Sequence, residues 1–123
     1  MKIYKCNTCG RIIEEHVKGK GSIICCEKPM IELKELHLAE GKEKHKPVIN
    51  KENNEVIVKI GSIEHPINEE HSIKFIQIIN ENNECQTKYL KPTDKPEARF
   101  KVKENNNITA RAYCNLHGLW SNE

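Results

Sequence analysis

The sequence predicts an all-β chain in two parts, a small N-terminal β domain bound to a metal ion followed by an antiparallel β-sandwich. Apolar residues in the second part recur with a period of two rather than 3.6, and no stretch carries a long helical pattern. The candidate metal ligands are segregated along the chain. Cys6, Cys9, Cys25 and Cys26 all precede residue 27, while four of the six histidines lie beyond residue 44.

The first element is the cysteine-bearing segment. A unit of about 37 residues is too short to bury an adequate apolar core, and natural domains of that size need a metal, disulfides or oligomerisation. After it runs MIELKELHLAEGKEKHKP, a charged stretch whose Gly41 and Pro47 suit an exposed connection, so the domains are expected to be 1–37 and 38–123. Strand candidates follow at 55–60, 72–79 and 85–90, separated by Asn-rich turns such as 80–83 and 105–107. In 98–103, Ala98, Phe100 and Val102 alternate with Arg99, Lys101 and Lys103, which reads as a half-buried strand. Ile108, Ala110, Ala112 and Cys114 share one phase, so the Cys114 thiol should point inward where this last strand ends. In 72–79 the apolar phase changes between Phe75 and Ile76, which predicts a bulge or a strand covered on both faces. Short strands with closely spaced turns suggest an immunoglobulin-like antiparallel sandwich for 38–123.

Composition narrows the function. Lys and Arg exceed Asp and Glu by only 20 to 18, too even a balance for a nucleic-acid surface. No apolar run approaches the roughly 20 residues that cross a bilayer, and the start MKIYKCNTCG lacks a signal-peptide segment, so no membrane partner and a cytoplasmic location are expected. In a reducing compartment six cysteines point to metal ligation or redox chemistry rather than disulfides.

CNTCG holds Cys6 and Cys9 at the spacing of a metal-binding knuckle, with Gly10 supplying positive φ so that backbone amides aim at sulfur. Cys25 and Cys26 differ from the CxxC pair of a zinc ribbon, because neighbours in extended backbone point to opposite faces; binding one ion through both should distort the tetrahedron. Four cysteines suit zinc as well as iron. The adjacency is nevertheless distinctive: CNTCG followed by CCEKPM resembles desulforedoxin. That resemblance implies that Cys6, Cys9, Cys25 and Cys26 bind one iron, which passes single electrons.

Further on, EKHKP carries His45, GSIEHPINEEH carries His65 and His71, and CNLHGLW carries Cys114 and His117. A lone histidine is usually a surface or satisfied core residue, but here Pro66 biases His65 to extended backbone and His71 opens a predicted strand. Gly118 lets the chain turn after His117. One cluster could hold all five. These segments, in this order, resemble neelaredoxin and the catalytic domain of desulfoferrodoxin, both superoxide reductases. The resemblance implies a second non-haem iron with His45, His65, His71 and His117 in a square, Cys114 axial and the sixth position open. It also implies that Glu43 caps oxidised iron and that Lys44 assists substrate and product. Without it, GKEKHK reads as a solvated charge run. Ser72 stands where the family often has Tyr, and Phe75 where it often has Trp.

The resemblance thus implies one-electron reduction of superoxide to hydrogen peroxide without oxygen release, a rubredoxin-like electron donor and a homodimer. A zinc-stabilised binding module would use the four N-terminal cysteines but leave the five later residues unexplained. A pure electron-transfer protein gains nothing from an open coordination position. His16, His37 and Cys85 are read as surface or packing residues, and Tyr113 and Trp120 as packing around the Cys114–His117 turn.

Overall fold

In the computed structural model every regular element among the described residues is a β-strand. The structure describes residues 1–36, 46–60, 72–103, 107–115 and 117–122. The chain divides into two units, Met1–Lys34 and Glu35–Glu123, a division that falls shortly before residue 37.

In the first unit, β1 (Lys2–Lys5), β2 (Ile12–Glu15) and β5 (Ile31–Glu32) form an antiparallel sheet in the order β2-β1-β5. A separate hairpin pairs β3 (Ile24–Cys25) with β4 (Lys28–Pro29). The buried apolar side chains among its described residues are Ile3, Cys6 and Cys25. Burying one isoleucine contributes roughly 1.5–3 kcal/mol, whereas ordering backbone costs on the order of 1 kcal/mol for every residue. The cysteine cluster stands where a larger domain would have its core.

The second unit is a sandwich of two antiparallel sheets. One has the order β10-β7-β6, from β6 (Pro47–Glu52), β7 (Glu55–Ile60) and β10 (Glu97–Lys101). The other has the order β12-β11-β8-β9, from β8 (Ile73–Ile79), β9 (Cys85–Tyr89), β11 (Thr109–Cys114) and β12 (Gly118–Ser121). The core lies between them. Val56, Val58 and Ile60 of β7 and Ala98 and Phe100 of β10 meet Ile73, Ile76 and Ile78 of β8 and Ile108, Ala110, Ala112 and Cys114 of the β11 segment. Period-two alternation along each strand puts these side chains on one face. The sheet containing β12 is extended at its edge by Leu36, whose N–H donates to Leu119 O at 2.8 Å and whose carbonyl accepts from Ser121 N–H at 3.0 Å.

β7 to β11 fall where alternation predicts strands; β6 and β12 were not foreseen, for physical reasons. β6 is an edge strand that begins with a buried proline and runs into Asn50, Lys51 and Glu52, so it has little apolar periodicity. In β12 Leu119, Trp120 and Ser121 are all buried, which erases the period of two, and Cys114 therefore ends the penultimate strand rather than the last. β8 is buried on both faces: Ile76 and Ile78 face the core, while the opposite face carries Phe75 and Gln77. Its bulge lies one residue before the phase change, because Tyr113 pairs with Phe75 and Cys114 with Ile73, leaving Lys74 as the extra residue.

That opposite face is held by polar and aromatic pairs aligned by register. Arg111 lies across from Gln77, and its Nε donates to Gln77 Oε1 at 2.5 Å; Gln77 Nε2 in turn donates to Thr87 Oγ1 at 2.9 Å. Arg111 also pairs with Glu35 at 3.3 Å. The Phe75 and Tyr113 rings stack with centroids 5.8 Å apart. The Asn-rich turns use left-handed backbone at Asn53, Asn83 and Asn107, which asparagine tolerates better than most residues.

Candidate metal centres

The knuckle following β1 is closed by Gly10, whose φ is +81° and whose N–H donates to Cys6 O at 2.9 Å. This turn aims the Cys9 N–H at Cys6 Sγ, 3.5 Å away. The other two cysteines sit at the tip of the β3–β4 hairpin, where Cys25 pairs with Lys28. Cys26 is left-handed, with φ 53°, so it is not extended and its thiol is not sent to the face opposite Cys25. The turn brings both thiols to the same side of the hairpin tip, where one ion could meet them. Cys9 and Cys25 sulfurs are 3.6 Å apart, Cys25 and Cys26 sulfurs 4.0 Å apart, and all four lie within 4.8 Å of one another. A tetrahedron with metal–sulfur bonds of about 2.3 Å has sulfur–sulfur edges of about 3.8 Å, so this cluster fits one such ion.

Its electrostatics suit that role. The Cys9 backbone N–H holds the Cys6 thiol down to about 6. Hydrogen bonding to the Cys9 and Cys6 sulfurs pushes Cys25 up to about 12, and the same two sulfurs raise Cys26. One thiolate is thus favoured while its neighbours keep protons that a bound cation would displace. Cys6 and Cys25 are buried, Cys9 and Cys26 exposed, so the cluster has one solvent-facing edge.

Of the second set, Cys114 and His117 are described, whereas Glu43, Lys44, His45, His65 and His71 lie outside the described residues. Cys114 ends β11 with its side chain in the sandwich core and 1% exposed, facing inward as the strand phase predicts. It pairs with Gly118, whose φ of +93° closes the turn carrying the exposed His117. Trp120 Nε1 donates to the His117 carbonyl at 3.0 Å, securing this turn from β12. A contact missed from sequence fixes its other side: Asn115 Oδ1 accepts from Ser72 N–H at 2.9 Å, and Asn115 N–H donates to Ser72 O at 3.2 Å. The neighbours in sequence of Cys114 and His71 are thereby joined across 43 residues. Asparagine directly after a cysteine in CNLHG was the available signal, since its side chain can bond backbone at a turn.

Among the bland assignments, His16 is exposed and 3.9 Å from Glu14, away from the cysteine cluster. Cys85 begins β9 but is half-buried rather than fully enclosed. His37 lies outside the described residues. No helix among the described residues is long and apolar enough to cross a membrane.

Comparison with known proteins covers nearly the whole chain. The family model for desulfoferrodoxin matches residues 37–123, and that for the desulfoferrodoxin N-terminal domain matches residues 1–33. A desulfoferrodoxin homolog of Archaeoglobus fulgidus is 47% identical over 121 residues, covering 98% of this chain and 94% of that protein. The crystal structure of the superoxide reductase from Treponema pallidum superposes with a TM-score of 0.79 at 25% identity, covering 99% of this chain and 97% of that one. A one-iron superoxide reductase from Giardia intestinalis covers 65% of this chain and 95% of its own, with 34% identity and a TM-score of 0.54. Matched along both of its parts, this chain belongs to the desulfoferrodoxin family.

Proposed function

We propose that this protein is a superoxide reductase with two iron centres, converting superoxide to hydrogen peroxide by transfer of one electron and two protons, with no release of oxygen. The observation that carries this reading is the likeness to the Treponema pallidum superoxide reductase over 99% of the chain. Family membership together with the four-cysteine cluster supports iron binding. Cys6, Cys9, Cys25 and Cys26 would hold one iron. His45, His65, His71, His117 and Cys114 would hold the other.

When bound, the second iron would supply a one-electron change between its ferrous and ferric states. The chain's own residues set its charge: one thiolate and four neutral imidazoles leave a ferrous site at +1, which attracts the superoxide anion. Cys114 would hold this iron as a thiolate and, as the most electron-donating of the five ligands, would raise the electron density available to bound substrate. Its burial at the end of β11 supports this role, because the sandwich core shields the sulfur from water. Lys44 would add positive charge and, with water, deliver protons to the departing product, while the Glu43 carboxylate would be the group to cap the oxidised iron. The electron is restored by a small rubredoxin-like carrier in the cytoplasm, with the protein acting as a homodimer.

The test is to supply superoxide to the reduced protein and measure both products. Hydrogen peroxide without oxygen supports the reading, whereas stoichiometric oxygen release indicates dismutation and overturns it.

A further inference from the structure

We propose that Glu27 is a positioning residue of the four-cysteine centre, and that its left-handed backbone, not its side chain, governs how firmly the Cys25–Cys26 pair retains a metal ion. The inference rests on the reading that these cysteines bind one ion together.

Cys26 and Glu27 are the two central residues of the hairpin between β3 and β4, with Cys25 paired to Lys28 and Ile24 to Pro29. Their φ values are 53° and 65°. A two-residue hairpin with positive φ at both positions favours Asn-Gly or Asp-Gly, because other side chains meet the backbone there. Neither residue here belongs to that set. Cys26 cannot change without losing a ligand, so the adjustable part of the strain sits at Glu27.

The Glu27 side chain offers no compensation. It is exposed, and none of the described hydrogen bonds or ion pairs uses its carboxylate. Its left-handed backbone nevertheless determines the cluster. If Glu27 relaxed to negative φ, the Cys25–Lys28 pairing would open and carry the Cys26 thiol away from Cys25, now 4.0 Å distant. The strain at residue 27 therefore opposes the arrangement that holds the ion, and substitutions there should rank by their tolerance of positive φ.

The experiment uses the full chain with iron in this centre, challenged with excess chelator while the thiolate-to-iron absorption is followed. Release should slow on the order of fivefold in Glu27→Gly, the gain from removing the steric penalty of a left-handed side chain, and accelerate by a similar factor in Glu27→Val. Glu27→Gln, which keeps the backbone preference but removes the charge, should match wild type, and the absorption band of the loaded Gly variant should not move. Any order other than glycine slowest and valine fastest overturns the proposal, as does a glutamine variant that shifts release as much as glycine does. Should the valine variant take up no iron, the glycine and glutamine variants decide the matter. A wild-type protein that binds no metal at these cysteines fails the underlying reading as well, and is distinguished by metal content before any chelator is added.

Discussion

A cation entering the N-terminal cluster must displace protons from Cys25 and Cys26, both raised, while Cys6 is lowered to about 6. Protons therefore compete with the metal, and affinity rises with pH. Equilibrium titration should show tighter metal binding at pH 8 than at pH 6, with steeper loss below pH 6 where Cys6 also protonates; a flat profile would show that these thiols are not the ligands. Cys114 makes a different prediction. Because its side chain is 1% exposed among apolar neighbours, Cys114→Ser buries a hydroxyl and should cost about 1–3 kcal/mol in thermal or denaturant unfolding. The sandwich should persist while superoxide reduction is lost, and wild-type turnover would show that Cys114 is not needed to hold the catalytic iron. Local spacing carried this information unevenly. Gly10 after Cys9 is readable because positive φ favours glycine, and the phase of β11 points Cys114 inward. The geometry of Cys25-Cys26 was not readable, since cysteine and glutamate give no hint of the left-handed turn they adopt.

Strands were legible where one face is buried and the other wet, as in β10, with Ala98 and Phe100 buried and Arg99 exposed. β8 is the limiting case, because Phe75 and Gln77 are buried on one face and Ile76 and Ile78 on the other, so alternation vanishes although the strand is central to its sheet. Ile76 is fully buried in the sandwich core, so Ile76→Ala should destabilise the second unit by about 2–5 kcal/mol, measured by denaturant unfolding. A cost below about 1 kcal/mol would mean that the two sheets are not packed through β8 as described. β12 escaped notice for a related reason: Leu119, Trp120 and Ser121 are all buried, and the strand is recognisable only through its pairing with β11. Its contribution is to the turn it completes, with Trp120 bonded to His117 on one side and the Ser72–Asn115 pair fixing the other. The Ser72–Asn115 contact, between residues 43 apart, leaves no local pattern to read.

The two units divide the work according to what each can bury. Met1–Lys34 has Ile3 and two cysteine side chains inside, so a bound ion would have to supply stability that a core supplies elsewhere; Glu35–Glu123 has an apolar core contributed by both sheets, and Cys114 is part of that core. The segregation of cysteines from histidines is what suggests a short first domain ending near residue 37, because a short segment without a core needs another source of stability. What the pattern of residues left open was the identity of the metal, since tetrahedral sulfur serves zinc and iron alike. Metal content per chain in the purified protein therefore tests the account most directly. It predicts two irons, falling to one when Cys6→Ser removes a ligand from the N-terminal cluster; one zinc and no iron per chain would contradict it.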